Sequence, residues 1–309
     1  MASASEIRQQ VERESERRGR LAVPAFAGGM LYLLSAIIIE ATIKAAPTVG
    51  IFQGLTPALA GESDPAVSPR ANEVKYISHH AFSLITGSAL AVVAVGSLVL
   101  ILLLLFDATS FRRPNSWAIA RPLVLFGGGA FALISLAHQV VAALETHSFA
   151  VGSDHSTHAV DQALSKSTPN LIVAYVALLA GLAFAVGMIT VVLNALRVGL
   201  LPRWMGILGI FTGILIFLPL GGAELQVVPS FWMVMMGILF IGKWPNEEPL
   251  AWAAGEARPW PPGGRRGAAI AVAGKPTPAM AGAGGDVVPE PTNPVRSTSR
   301  KRRKRGSRG

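Results

Sequence analysis

The stretch from Leu196 to Glu224, LRVGLLPRWMGILGIFTGILIFLPLGGAE, restricts the fold more than any other. One long apolar run ends at Arg197, a Gly-Leu-Leu-Pro-Arg-Trp turn follows, and a second apolar run begins at once. Two apolar segments joined by so short a basic link predict a helical hairpin in a bilayer, with the link at the cytoplasmic face. The other spans are counted outward from this point.

Composition matters here because it excludes the soluble alternative. Only 15% of the 309 residues are charged and 51% are hydrophobic, where a soluble domain carries about a quarter charged residues. The absence of cysteine rules out disulfides, thiolate metal ligands, covalent haem through C-x-x-C-H and a cysteine nucleophile. The first apolar run follows Arg17, Arg18 and Arg20, as a signal peptide would. It is long for that role, however, and Glu40, Lys44 and Pro47 stand where a small-residue cleavage site is wanted, so it reads as a retained span.

The expected fold is all-α, a polytopic bundle of six transmembrane helices with both termini cytoplasmic. Residues 1–20 form a polar N-terminal arm, amphiphilic or disordered. Residues 21–242 form the bundle, with spans at about 21–43, 81–106, 122–144, 171–196, 204–222 and 227–242, each near the roughly 20 residues a bilayer requires. Thr168-Pro169 reads as a helix start, with Thr as N-cap, and Trp232 and Trp244 flank the last span as interfacial aromatics do. Residues 243–309, rich in Pro, Gly, Ala and charge, are expected to be a disordered basic tail. The orientation follows from the basic residues: of the 27 Lys and Arg, only Lys44, Arg70, Lys75 and Lys166 fall in the outer segments.

Packing is expected to use small residues, because lipid tails are as apolar as leucine and helices associate through close backbone approach. Ala177, Gly181 and Ala185 repeat every four residues on span four, Gly209 and Gly213 repeat the pattern on span five, and Gly206 lies nearby. These faces are expected to meet across the hairpin.

All six histidines lie on the outer side, together with Glu40, Glu145 and Glu224. Ionisable residues within a membrane point to function by default. Helical spacing places Tyr32, Ala36, Glu40 and Lys44 on one stripe of span one, and Ser135, His138 and Glu145 on one face of span three. The expected site is an outward-facing polar pocket among spans one, two, three and six, formed by Glu40, Lys44, His79, His80, His138, Gln139, Glu145 and Glu224. The competing reading makes the same side chains interfacial pairs and interhelical hydrogen bonds. A narrower reading takes His155, His158 and Asp161, each three apart, as metal ligands, although the segment has the composition of an exterior polar loop.

No P-loop, dinucleotide-binding glycine pattern or hydrolase elbow occurs, which points away from an enzyme, and no cofactor is indicated. The basic run Arg300, Lys301, Arg302, Arg303, Lys304 and Arg305 suits anionic lipid, or nucleic acid through counterion release, or neither. Three functional classes stay open: binding or transport of a small polar solute, a histidine- or carboxylate-based metal or redox protein, and an accessory or scaffold protein acting by helix contacts. In every case the lipid bilayer is the expected partner.

The turn GLLPRWMGILGIFTGILIFLPLGG, an opening RLAVPAFAGGMLYLLSAI and a close FWMVMMGILFIGKWP followed by AWAAGEARPWP resemble a family of uncharacterised bacterial multi-span membrane proteins. The resemblance spans roughly residues 18–262 and implies a location in the bacterial plasma membrane. It lends no catalytic residue, substrate or cofactor.

Overall fold

The computed structural model describes residues 3–50, 52–53, 56, 59–61, 67–114, 117–218, 223–244 and 249–260. Arg300–Arg305 and everything else after Trp260 lie outside them. The described residues are helical, with no strand and a single isolated bridge between Val67 and His155. In order, the helices are α1 (Ala4–Lys44), α2 (Ala71–His79), α3 (Ala81–Arg112), α4 (Ala120–Pro122), α5 (Gly128–Val151), α6 (Thr157–Asp161), α7 (Thr168–Val198), α8 (Arg203–Phe217), α9 (Ala223–Phe240) and α10 (Leu250–Ala254). Wide π turns, Leu123–Gly127 and Gln162–Lys166, follow α4 and α6.

Four stretches are long and apolar enough to cross a membrane: Ala4–Lys44, Ala81–Arg112, Ala120–Val151 and Thr157–Val198. α8 and α9 are apolar but shorter. At one end of the bundle Arg17 bonds Asp107 at 3.0 Å, the Arg258 N–H reaches the Val198 carbonyl at 2.9 Å, and Arg203 reaches the Trp260 carbonyl at 3.2 Å. At the other end the Ser68 N–H donates to the His155 carbonyl at 2.7 Å. A small apolar cap of Ala71, Val74, Phe149, Val160 and Ala163 joins α2, α5 and α6 there. These are called the arginine end and the histidine end.

The start of α1 differs from expectation. Residues 1–20 do not stand apart as an arm: the helix begins at Ala4, under a capping box in which the Ser3 hydroxyl accepts from the Glu6 N–H and the Glu6 carboxylate accepts from the Ser3 N–H. Its 41 residues reach roughly 60 Å, about twice the hydrocarbon thickness. Pro24 is therefore an interior proline that leaves the Arg20 carbonyl without its helical donor. The polar first half is held because Glu14 is buried on the bundle. Similarly, α3 passes Asp107 and continues to Arg112.

The tail expected from Lys243 is corrected in the same way. Residues 249–260 contain α10 and lie on the arginine end, where the Trp252 indole donates to the Leu200 carbonyl at 2.9 Å and the Trp260 indole to the Leu201 carbonyl at 2.8 Å. Composition hid this because few side chains carry the contact. Gly255, at φ +64°, lets the chain turn against Ile7 and Val11.

Close backbone approaches set the bundle. A Cβ on Gly29 would stand 2.6 Å from the Ser230 carbonyl, and one on Gly237 would stand 3.0 Å from the Phe26 nitrogen, so α1 and α9 touch through glycines. A Cβ on Gly127 would meet the Phe184 nitrogen at 2.8 Å, and one on Gly187 would meet the Val124 nitrogen at 2.9 Å. The small faces of the hairpin meet only in part. Gly206, Gly209 and Gly213 lie against Leu196, Val192 and Ile189 of α7, with the Ala185 carbonyl beside Gly213. Gly181 lies closest to the Phe131 ring, with the Ile216 carbonyl of α8 next at 3.9 Å from its would-be Cβ, and Ala177 lines a cavity. Gly209 also receives Trp232, which is not interfacial: it is fully buried and donates to the Met205 carbonyl at 3.0 Å. Trp244 stacks on Trp204, with ring centres 5.6 Å apart. The cap of α7 is one residue earlier than expected, at Ser167, whose hydroxyl accepts from the Asn170 N–H.

Candidate functional site

Five helices leave a cavity of about 310 Å³ in the histidine half of the bundle. Each contributes residues at helical spacing. α1 provides Tyr32, Ser35 and Ile39, and α3 provides Ser88, Ala91, Val92 and Val95. α5 adds Phe131, Ala132, Ser135, His138 and Gln139, α7 adds Ala174 and Ala177, and α9 adds Gln226. Alanines at four lining positions create the room, since their side chains end at Cβ. The wall is apolar with hydroxyl, amide and imidazole groups set into it, and it holds no Asp, Glu, Lys or Arg.

Ser35 is fully buried, and its hydroxyl has no hydrogen-bond partner. Serines in apolar helices commonly bond their own backbone, as the Ser97 hydroxyl does with the Val93 carbonyl at 3.1 Å. An unmet buried hydroxyl costs about 1–3 kcal/mol. A second, smaller cavity of about 170 Å³ shares Tyr32, Phe131 and Gln226 with the first and runs on beside Leu215, Leu218 and Pro229. The two spaces adjoin at those three side chains.

Of the eight residues expected to form the pocket, the structure brings His138 and Gln139 to the wall. Glu40 and Lys44 pair with each other at 2.9 Å and are not among the lining residues. The expected stripe and the cavity face of α1 share Tyr32 and then diverge by one residue: the face continues through Ser35 and Ile39, and about 100° of helical rotation separates Ile39 from Glu40. His79 is exposed, and His80 stacks on Tyr76 with ring centres 4.0 Å apart while its Nδ1 lies 2.9 Å from the Tyr76 carbonyl. Glu145 is half-buried outside the lining, and the Glu224 side chain lies outside the described residues.

The metal set is not assembled. His155 lies on Phe149, with ring centres 5.0 Å apart, His158 is exposed, and Asp161 is engaged by Lys166 at 2.6 Å. Among the described residues no group of three or more His, Cys, Asp or Glu is placed to hold a metal ion. Nearby Asp154 acts as a turn cap. The Ser156 N–H donates to its carboxylate at 2.9 Å and, with the Ser156 hydroxyl, holds its pKa below the ordinary aspartate value.

Charge is concentrated at the arginine end. Arg112 donates to both Glu14 carboxylate oxygens, at 2.8 Å each, to the Ala108 carbonyl at 2.9 Å and to the Ala251 carbonyl at 2.9 and 3.1 Å. Two guanidiniums lie over Trp252, with Arg18 at 4.7 Å and Arg112 at 5.7 Å from its ring centre.

Sequence reasoning missed Ser35, Ser88 and Gln226 at the cavity. Serines inside fully apolar runs were the available signal, and the more conspicuous charged residues drew attention from them. No protein-family model, curated protein or solved structure matches the chain.

Proposed function

We propose that the protein is an integral membrane protein of the bacterial plasma membrane that binds a small, uncharged polar solute in its interhelical cavity, in the service of transport or sensing. The observation that carries this reading is a cavity whose polar groups are all serine, tyrosine, histidine or glutamine, with one of its lining residues, Ser35, keeping a buried hydroxyl without a partner. A solute that accepts or donates hydrogen bonds has these neutral groups to pair with. A charged solute would enter an apolar wall without a counter-charge, at a high desolvation cost. At about 310 Å³ the space matches roughly ten water molecules, at the small end of ligand pockets.

The membrane reading takes α1, α3, α5, α7, α8 and α9 as six spans with both termini in the cytoplasm. It is supported by apolar side chains exposed outward along the bundle, such as Val23, Phe126, Leu133, Leu179 and Ile207. It is supported also by the collection of Arg17, Arg20, Arg112, Arg121, Arg197 and Arg203 toward one end. Solutes enter from the histidine end, which faces outward in this arrangement.

The test is a thermal-shift panel of neutral polyols, amides and short alcohols beside amino acids and inorganic ions, on the purified protein and on Ser35→Ala and Gln139→Leu. At least one neutral solute should raise the melting temperature of the parent, and both variants should weaken that response without unfolding. Stabilisation by charged solutes alone, or an unchanged response in both variants, would overturn the proposal.

A further inference from the structure

A groove of about 330 Å³ at the arginine end, away from the cavity, runs between α1 and α3. Its rim carries Arg17 and Arg20 of α1, Asp107 of α3 and Arg121 of α4. Its wall continues as leucine: Leu21 of α1, then Leu104, Leu103 and Leu100 of α3. The spacing explains the arrangement. Arg17, Arg20 and Leu21 share one face of α1, and Leu100, Leu103, Leu104 and Asp107 share one face of α3. Leu103 and Leu100 lie four and seven residues before Asp107, which places them about 6 and 10 Å deeper along the helix axis. The deepest of them, Leu100, is 47% exposed.

We infer that this groove binds one phospholipid with an anionic headgroup, its phosphate among Arg17, Arg20 and Arg121 and one acyl chain along Leu103 and Leu100. The two parts of the groove require the two parts of such a molecule. A free phosphate would use the arginines and leave the leucine wall unfilled, and a zwitterionic lipid would use the leucines with a weaker claim on the rim. The carboxylates present do not neutralise the rim. Asp107 accepts one hydrogen bond from Arg17, at 3.0 Å, and Glu16 stands 3.7 Å from Arg20. Three guanidiniums therefore face two carboxylates, and each guanidinium carries five N–H donors. Arg17 and Arg20 have side chains 61% and 80% exposed, so a headgroup reaches them without displacing the bundle. Basic pockets between helices on the cytoplasmic side suit anionic headgroups. In the proposed orientation this is the leaflet the groove opens to.

The experiment uses the full chain in detergent. Phosphatidylglycerol, phosphatidylcholine of the same chain length and inorganic phosphate are each titrated, with lipid retention read by native mass spectrometry and stability by thermal shift. Phosphatidylglycerol should be retained and should raise the melting temperature, phosphatidylcholine should be retained at least about fivefold less, and phosphate should have no effect. Arg17→Gln with Arg20→Gln and Arg121→Gln should weaken phosphatidylglycerol retention at least about tenfold. Asp107→Asn, which removes the competing carboxylate, should strengthen it, an outcome that loss of folding cannot imitate. Neutralising Arg300–Arg305 should leave this lipid in place. Equal retention in the triple variant, phosphate acting as well as lipid, or a loss confined to the Arg300–Arg305 variant would each overturn the assignment.

Discussion

Arg112, at the end of α3, and Glu14, in the polar half of α1, form a bidentate ion pair with both side chains essentially out of water, at 0% and 4% exposure. The pair joins positions 98 residues apart, and Arg112 continues to the Ala251 carbonyl. One guanidinium thus holds the start of α1, the end of α3 and the segment after α9. Removing Glu14 leaves a buried cation without its counter-charge, which costs about 3–5 kcal/mol. Glu14→Ala should lower the melting temperature strongly, whereas Glu14→Leu combined with Arg112→Met should recover most of the loss. A thermal melt of the two variants in detergent distinguishes them.

The segment 249–260 is expected to be part of the folded unit. A chain ending after Trp260 should melt at the parent temperature. One ending before Pro249 loses the Ala251, Trp252 and Trp260 contacts and should melt several degrees lower, with faster proteolysis in α1 ahead of Gly19. Equal melting of the two truncations would show that α10 contributes nothing.

Glycine substitutions should sort by what the new methyl group meets. Gly29→Ala drives a Cβ to 2.6 Å from a backbone carbonyl and Gly127→Ala drives one to 2.8 Å from a backbone nitrogen, while Gly96 and Gly129 have nothing within 4 Å. The first two should destabilise by about 1–3 kcal/mol, and the second two should be neutral or slightly stabilising, since alanine is the better helix former. Denaturation of the four variants reads this directly.

Much of the architecture was legible in the residues. The apolar runs located the long helices, and Pro202 with Gly199 marked the turn between α7 and α8. Hydropathy cannot show where a helix continues beyond its apolar part, which is why α1 from Ala4 and α3 as far as Arg112 were not foreseen. Their polar turns are held by partners distant in sequence. The candidate site was legible through His138 and Gln139, with Tyr32 and Ser135 on the stripes drawn beside them. A stripe drawn through Glu40 is one residue from the stripe through Ser35, and helical rotation turns that single step into a different neighbour. Trp232 misled because an indole near a span end suits an interface and a slot over Gly209 equally well, until the partner helix is placed.

The chain contains no cysteine, so Ser135→Cys on the cavity wall introduces a sole thiol. Its rate of modification by two small thiosulfonates, one neutral and one anionic, tests whether an open, uncharged cavity exists. Modification by the neutral reagent should be at least about ten times faster than by the anionic one, because the wall offers no counter-charge, and any solute that raises the melting temperature should slow it. Equal rates for the two reagents, or no reaction with either in folded protein, would contradict such a cavity.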